Sequence, residues 1–477
     1  DAATFAVAAT GTGPLSYQWR KDGVPLVGAI DAVLNLPVAL TADAGNYDVV
    51  VGNTAGTVTS SGALLTVNKA QAAVQIGGLS HTYDGAPHAA TITTEPGSLT
   101  VNVTYAGAVD APVDAGDYTV VATVEDDNFE GTATATLVIA QAPVSFTFDG
   151  LVQRYTGDPR VVTAGPHPGV DVVVSSDGDL PPPSLPGEYV IEAVVDGNPN
   201  YTGSATDVLV VTVTALVRHG PALNGGLDGS LQVLRPENVT LNGNAWISGD
   251  LLIVGSPALQ LNGGPLLAGT IEGPGAADPS THRVTLNGQA LLRHLVTRVD
   301  AIEPLAIAEP PTPEGTRNVV LNQASQSAGD FATLRNLTLN GNVGAIAIPA
   351  GTYGNFTANG SSSFTLGEAD ADERVVIDLQ TLTLNGNSRL DIVGPVILTL
   401  ANGGALNGSV GAEDHPEWLV LRVANGGITL NGNMEFHGTI LAPNGTVSIN
   451  GNSALHGTVE ADRLVINGGG VLAEPQE

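Results

Sequence analysis

The sequence predicts an all-β chain: three β-sandwich modules over residues 1–215, then a right-handed β-solenoid over 216–477 with one short helical insertion. Three observations carry this expectation. Gly (60) and Pro (30) are abundant while charged residues make up only 13 %, the profile of turn-rich β structure. Short alternating runs in 71–141 recur 72 residues later in 142–215. From 216 onward the phrase apolar–Thr/Ser–apolar–Asn–Gly returns about every twenty residues, a period that belongs to stacked coils.

Composition narrows the function. At net charge −31, with every segment acidic, nucleic acid and anionic membranes are poor partners. The absence of cysteine removes disulfides, thiolate metal sites and thiol catalysis. Apolar runs are short and broken by Gly, Asn or Asp, so no membrane insertion is expected. The chain opens at Asp1 inside the strand-like run "ATFAVAATG" with no signal peptide. It reads as a mature or excised portion of a larger exported polypeptide, located outside the cell or on a bacterial surface.

In residues 1–69, "LSYQWRKDGVPL" places Trp19 on an alternating strand, and Tyr47 follows Asp43-Ala44-Gly45 in the manner of a tyrosine corner. The pair resembles the immunoglobulin fold, specifically the cysteine-free Ig-like repeats of bacterial surface proteins. That resemblance implies a core role for Trp19 and Tyr47; a glycan-binding aromatic pair is the competing reading. Val49 stands where many Ig domains carry their second cysteine, and the usual first strand is missing before Thr4, so this module is expected to be N-terminally incomplete.

The next two modules are duplicates, 70–141 and 142–215. "TYDGAPHAATIT" answers "RYTGDPRVVTAG", and Tyr83/Tyr155 and Asn128/Asn200 are each 72 apart. They resemble the YDG-type (MBG) Ig-like repeats that build long surface proteins. "VEDDNFEG" gathers Asp126, Asp127 and Glu130 beside Glu125, a candidate Ca²⁺ site. The second copy offers only "VVDGNPNYTG", which favours a solvated loop, because Ca²⁺ needs six to eight placed oxygens. No other cofactor is implied.

In the solenoid, "VTLNG" sends Val239 and Leu241 inward and Thr240 outward. The Asn-Gly that follows suits a corner needing positive φ. Asn242, Asn287, Asn340, Asn385, Asn431 and Asn450 should then stack about 4.8 Å apart as an amide ladder. "QALLRHLVTRVDAIEP" (289–304) spaces Leu291, Leu292, Leu295, Val296, Val299 and Ile302 as an amphipathic helix ending at Pro304. "IAEPPTPEGTR" (307–317) reads as an extended linker.

Solenoids also host pectin lyases and polygalacturonases, so a carbohydrate-active or glycan-binding protein is the alternative reading. The solenoid has no Lys, and two carboxylates would have to share a cleft. The candidates are Glu368, Asp370, Asp372, Glu373 and Asp378, and the better group Glu413, Asp414, His415 and Glu417 with Trp418. Charged loops between strands are the simpler explanation of both. His437 and His456 hold matching repeat positions, as a metal pair or as solvent-facing side chains. The row Thr240, Thr285, Thr338, Thr383, Thr429 and Ser448 raises ice binding as a third, weaker idea. Residues 415–472 resemble the solenoid ends of exported, adhesin-like bacterial surface proteins. The expected function is therefore non-catalytic: a structural or adhesive surface protein, a stalk or a fibre, partnered by copies of itself or by surface glycans.

Overall fold

The computed structural model describes all residues except 166–171, 177–181, 278, 303, 370, 372 and 475–477. The described residues are almost entirely strand and turn, and their helical segments are three 3-10 turns. No helix among them is long and apolar enough to cross a membrane. The chain divides into two compact units. The first comprises 1–147, 165–173 and 193–205; the second comprises 148–164, 174–192 and 206–477.

In the first unit, Ser16–Lys21 pairs antiparallel with Gly45–Asn53, which sets Trp19 opposite Val49. Both are buried, and Phe5 stacks on the buried Tyr47 ring at 4.6 Å. Residues 71–141 fold into the sheet Ser80–Thr82, Thr132–Ala140, Gly116–Val124, Val101–Tyr105, in that spatial order. Val120, Leu137 and Ile139 form its core with Tyr105. The duplicate module, divided between the units, repeats this strand order with Val152–Arg154, Ser204–Thr212, Gly187–Val195 and Val172–Ser176.

A tyrosine hydroxyl donates to the carbonyl four residues back in each module: Tyr47 to Asp43 (2.7 Å), Tyr118 to Asp114 (2.9 Å) and Tyr189 to Leu185 (2.9 Å). Tyr353 repeats the contact to Pro349 (3.0 Å) inside the second unit. Each tyrosine follows a Gly-X step. At Gly351 a Cβ would lie 2.9 Å from the Tyr353 hydroxyl, so the ring needs a glycine beneath it.

From Ala215 onward the strands of the described residues join one 23-stranded sheet in which coil pairs parallel with coil, each lying on another. Inward Leu, Val and Ile from successive coils make one continuous core. The spatial order is not the chain order. The chain enters mid-stack: Ala215–Val217 lies between Leu231–Val233 and the C-terminal strand Ala454–Ile466. It coils outward through Val239–Leu241, and Ser256–Gly263 then becomes the outermost layer. The later strand Pro279–Gly288 is inserted beneath it, paired to both Ser256–Gly263 and Val239–Leu241. Residues 305–316 next run along the stack to its far end at Arg317–Leu321. Leu305 N–H donates to the Glu460 carboxylate, Asn425 Nδ2 to Glu309 Oε1 (2.7 Å) and Gln380 Nε2 to the Pro311 carbonyl (3.4 Å). Thr316 N–H then reaches the Thr333 carbonyl (3.1 Å). Pro310, Pro311 and Pro313 keep this strap extended and bring no N–H that needs a partner. From 317 the coils return until 454–473 closes against 215–228.

The asparagines follow the same spatial order and donate in one direction. Asn262 Nδ2 bonds Asn287 (2.9 Å), which bonds Asn242 (2.9 Å). Asn224 bonds Asn467 (3.2 Å), then Asn450 (3.0 Å), Asn431 (3.2 Å) and Asn407 (3.2 Å). Asn385 bonds Asn359 (2.9 Å), then Asn340 (2.9 Å) and Asn322 (3.0 Å). The glycines that follow Asn242, Asn262, Asn287, Asn340, Asn359, Asn385, Asn431, Asn450 and Asn467 hold left-handed φ, from 62° at Gly243 to 94° at Gly263, whereas Gly225 and Gly408 do not. A Cβ on Gly288 would also lie 2.7 Å from the Gly243 carbonyl oxygen, so that corner is restricted by φ and by its neighbour alike, while Gly243, Gly341 and Gly432 are restricted by φ alone.

The expected helix over 289–304 is a strand, Leu291–Thr297, paired to Trp246–Ile253 and Leu266–Glu272. The helical spacing misled because both faces of this strand are covered. Leu292 and Leu295 enter the stack core, while Val296 and, just beyond the strand, Val299 pack outward with Leu252 against Tyr155, Ile191 and Leu209. Burial on two faces erases the alternation of a half-buried strand.

Leu241, Leu286 and Leu261 share one inward row, and they are 0 %, 0 % and 50 % exposed because, among the described residues, no coil lies beyond 256–272. Leu286→Ala should cost about 3 kcal/mol and Leu261→Ala under about 1 kcal/mol, read as shifts of the stack's denaturant transition. Equal costs would mean that the outermost layer is wrongly placed.

Candidate functional site

The acidic loop 125–130 is built as a joint. Asp126 Oδ1 accepts from the backbone N–H of Asn128 (2.7 Å) and Phe129 (3.0 Å). Lys69 Nζ donates to the Asp126 carbonyl (2.6 Å), Gln71 Nε2 to Glu130 Oε1 (2.5 Å), and Thr41 Oγ1 to the Asp127 carbonyl (2.9 Å). The next copy repeats the plan without the acid: Asn198 Oδ1 accepts from Asn200 (2.9 Å) and Tyr201 (3.2 Å). Gln141 there takes the place of Lys69, donating to the Pro199 carbonyl (3.0 Å). Asn128 Oδ1 accepts from Thr41 N–H (2.9 Å), and Asn200 Oδ1 accepts from Ala115 N–H (2.7 Å). A neutral amide does the work of Asp126, so the carboxylate serves as a turn cap. Asp126, Asp127 and Glu130 do not form a converging ligand set among the described residues.

Trp19 and Tyr47 face inward, with Trp19 Nε1 bonded to the Asp31 carbonyl (2.9 Å), which leaves no aromatic pair for a sugar. In the 413–418 loop the His415 ring lies flat on Trp418 (3.9 Å, 6°), and His415 Nδ1 meets Glu417 Oε1 at 3.0 Å. Arg374 donates to the carbonyls of Glu417 and Trp418 (3.0 Å each). The loop is thus pinned by its own side chains, with one Trp418 face covered. Asp370 and Asp372 of the other acidic group lie outside the described residues. Asp378 borders a cleft of about 390 Å³ beneath the 305–311 strap, with Arg422 on the same lining. The outward threonine row is interrupted. Gln260 flanks Thr285, Ala222 flanks Thr240, and Val465 flanks Ser448, so among the described residues an unbroken threonine run is confined to Thr338, Thr357 and Thr383.

Asp250 is the most buried carboxylate with a charge partner, at 1 % exposure. Arg293 grips it with Nε (2.7 Å) and Nη2 (2.8 Å), His294 Nδ1 lies 3.0 Å away, and Tyr155 donates its hydroxyl at 3.0 Å. Burial alone would raise the Asp250 carboxyl; the bonds from Arg293, Tyr155 and His294 outweigh it and hold the group below its ordinary value. Burial and the Asp250 charge push the Tyr155 phenol upward. Arg293 also reaches the Thr156 carbonyl (2.9 Å), so this cluster anchors the Tyr155 strand end to the coils. It was not read from the sequence. Its signal was a lone acid inside the apolar run "SGDLLIV".

On the outer row of the last coils, His437 and His456 stack at 4.8 Å and 11°, in direct register. Glu435 Oε2 lies 3.6 Å from His437 Nε2. One ligand atom each from Glu435, His437 and His456 lies within 4.8 Å of the other two, the converging group of this kind among the described residues. Burial and then the His456 charge push the His437 imidazole below its ordinary value.

Comparison with known proteins bears on these parts separately. Residues 72–143 and 144–215 each match the family described as MBG domain. Residues 309–475 match a domain of unknown function, DUF7305. A decoration protein of Escherichia phage T5 is 49 % identical over 51 residues, which is 10 % of this chain and 31 % of that protein. The chain thus spans about a third of that relative's length. Among solved structures, three N-terminal domains of the bacteriophage RB49 outer capsid protein Hoc are 18 % identical, covering 44 % of this chain and 93 % of that one at TM-score 0.19. Titin domains I67–I69 are 16 % identical, covering 44 % and 92 % at TM-score 0.19.

Two outcomes follow from the joints. Asp126→Asn should leave stability within about 0.5 kcal/mol, whereas Asp126→Ala should cost about 1 kcal/mol by removing the cap; a Ca²⁺-dependent rise in Tm abolished by Asp126→Asn would contradict this. Asp250 has a folded-state pKa below its unfolded one. Its stabilisation is therefore present above the unfolded value near ~4 and is lost as pH falls through the folded value. Unfolding midpoints measured from pH 6 to 2 should fall less steeply in Asp250→Asn, which should itself lose about 3 kcal/mol at pH 7 through the unmatched Arg293.

Proposed function

We propose that this chain is a non-catalytic structural protein displayed on an exterior surface, in which residues 1–215 act as three Ig-like spacers and 215–473 as a β-solenoid. The solenoid winds right-handed, as parallel crossovers in a sheet do. The observation that supports this reading best is the use of the charged side chains. Asp126, Asp250, Glu417 and Glu460 are taken up by neighbouring main chain or by fixed partners. None of these contacts holds an acid and a base facing across a cleft, as glycoside hydrolysis requires. The local similarity to a phage decoration protein and the two MBG matches support an exposed position.

The arrangement suits a stalk. The repeated Asp126/Asn128 and Asn198/Asn200 joints tie each module to the tyrosine-corner loop of the one before, which limits bending between spacers. Twelve asparagine rungs at about 4.8 Å make the stack roughly 50 Å long.

Gold-labelled antibody against residues 309–475, applied to intact native material in the electron microscope, should decorate its outer surface. Label seen only after disruption would overturn the reading. Incubation with pectins, alginates and other acidic glycans should release no product over time; steady release would establish the enzymatic alternative.

A further inference from the structure

We propose that Glu435, His437 and His456 form a binding site for a single divalent transition-metal ion, of the kind that imidazole and carboxylate together favour: zinc, nickel, cobalt or copper. Two independent features of the stack create it. The coil repeat places His437 and His456 in direct register, so their rings are held side by side at 4.8 Å and 11°. Glu435 lies two residues before His437 on the same outward row, which brings its Oε2 to 3.6 Å from His437 Nε2.

The three donors already lie within 4.8 Å of one another. A tetrahedral ion at about 2.1 Å from each donor needs them roughly 3.3 Å apart, a closure within reach of side-chain rotation in His456 and Glu435. The neighbouring rows leave room for it. Ala473 stands in register with His456 on one side, and Gly411, which a Cβ would drive into His437, lies against it on the other. The His437 side chain is only 12 % exposed while that of Glu435 is 60 % exposed. The site is therefore walled by protein on the imidazole side and open on the carboxylate side, where an ion enters and retains water.

Glu413 lies near enough to act on His437 electrostatically, and it adds negative charge around the position of the cation. The ligand set has two nitrogens and an oxygen and no sulfur, which points away from Cu(I) and, by its imidazoles, away from Ca²⁺ and Mg²⁺. The other stacked pair, His81 and His88 (4.4 Å), is less suited because His81 Nε2 already meets the Gly78 carbonyl at 2.8 Å.

The test is isothermal titration of the full chain with zinc chloride and with nickel chloride at pH 7.5, and again at pH 5.5. One equivalent should bind at pH 7.5. His437→Ala and His456→Ala should each weaken it by at least about tenfold, since even the outer-shell partners of metal ligands are worth that much. Glu435→Gln should weaken it less, and His88→Ala should leave it unchanged. Binding should fall at pH 5.5, where protons compete for the imidazoles. Circular dichroism and Tm of each variant confirm that the stack is folded. No saturable binding to the wild-type chain, or binding that survives in His437→Ala and His456→Ala alike, would overturn the proposal.

Discussion

The parallel hydrogen bonding of one coil to the next, at a spacing of about 4.8 Å, is the constraint on which the C-terminal half depends. It places like residues over like residues, so whatever one coil does is multiplied along the stack. Inward Leu, Val and Ile become a continuous core. Asparagines become three ladder runs, and within each run an amide donates to the next and accepts from the last. Each such bond adds only about 1 kcal/mol net, but a misplaced coil would break one and misalign its neighbours. The same rule brings His437 over His456, so the candidate metal centre is a by-product of stacking and not a separate device.

Stacking has a cost at the ends, where a coil offers an unpaired edge. The stack deals with its two ends differently. Near Arg317–Leu321, the loop that follows turns inward and buries Ala328 within the common core. At the other end, Leu259 and Leu261 stand 39 % and 50 % exposed in rows that are fully buried one layer below. Chain connectivity is settled by the strap, which crosses the coils through prolines and a few side-chain bonds instead of a helix.

Much of this was legible in the residues. The Asn-Gly corners, the inward Val239 and Leu241, the tyrosine corner at Tyr47 and the 72-residue duplication are local patterns, and local patterns survive in a sequence. Tyr353 in "PAGTY" repeats the Gly-X-Tyr step and was available to the same reading. The strand at 291–297 was not legible as such, because burial on both faces gave it the periodicity of a helix. The Asp250 cluster was hidden for another reason. Its four members come from positions 155, 250, 293 and 294, and no spacing rule links residues that distant.

The sequence by itself determined what a coil is: its inward row, its corner and its ladder rung, all set by alternation and by the φ that glycine permits. It equally determined that 70–141 and 142–215 are copies, and that the acid at Asp126 has a neutral counterpart at Asn198. Only the tertiary structure decided which coil lies on which. Every coil carries nearly the same edge, so local chemistry is satisfied by many orders, and the choice falls to long-range contacts. Ala215–Val217 closing against Val459–Ala461, Pro279–Gly288 sliding beneath Ser256–Gly263, and the strap spanning to Arg317 are such contacts. A repeated motif specifies the unit of a stack, whereas the order of the units depends on loop reach and on closure of a shared core, which no single repeat contains.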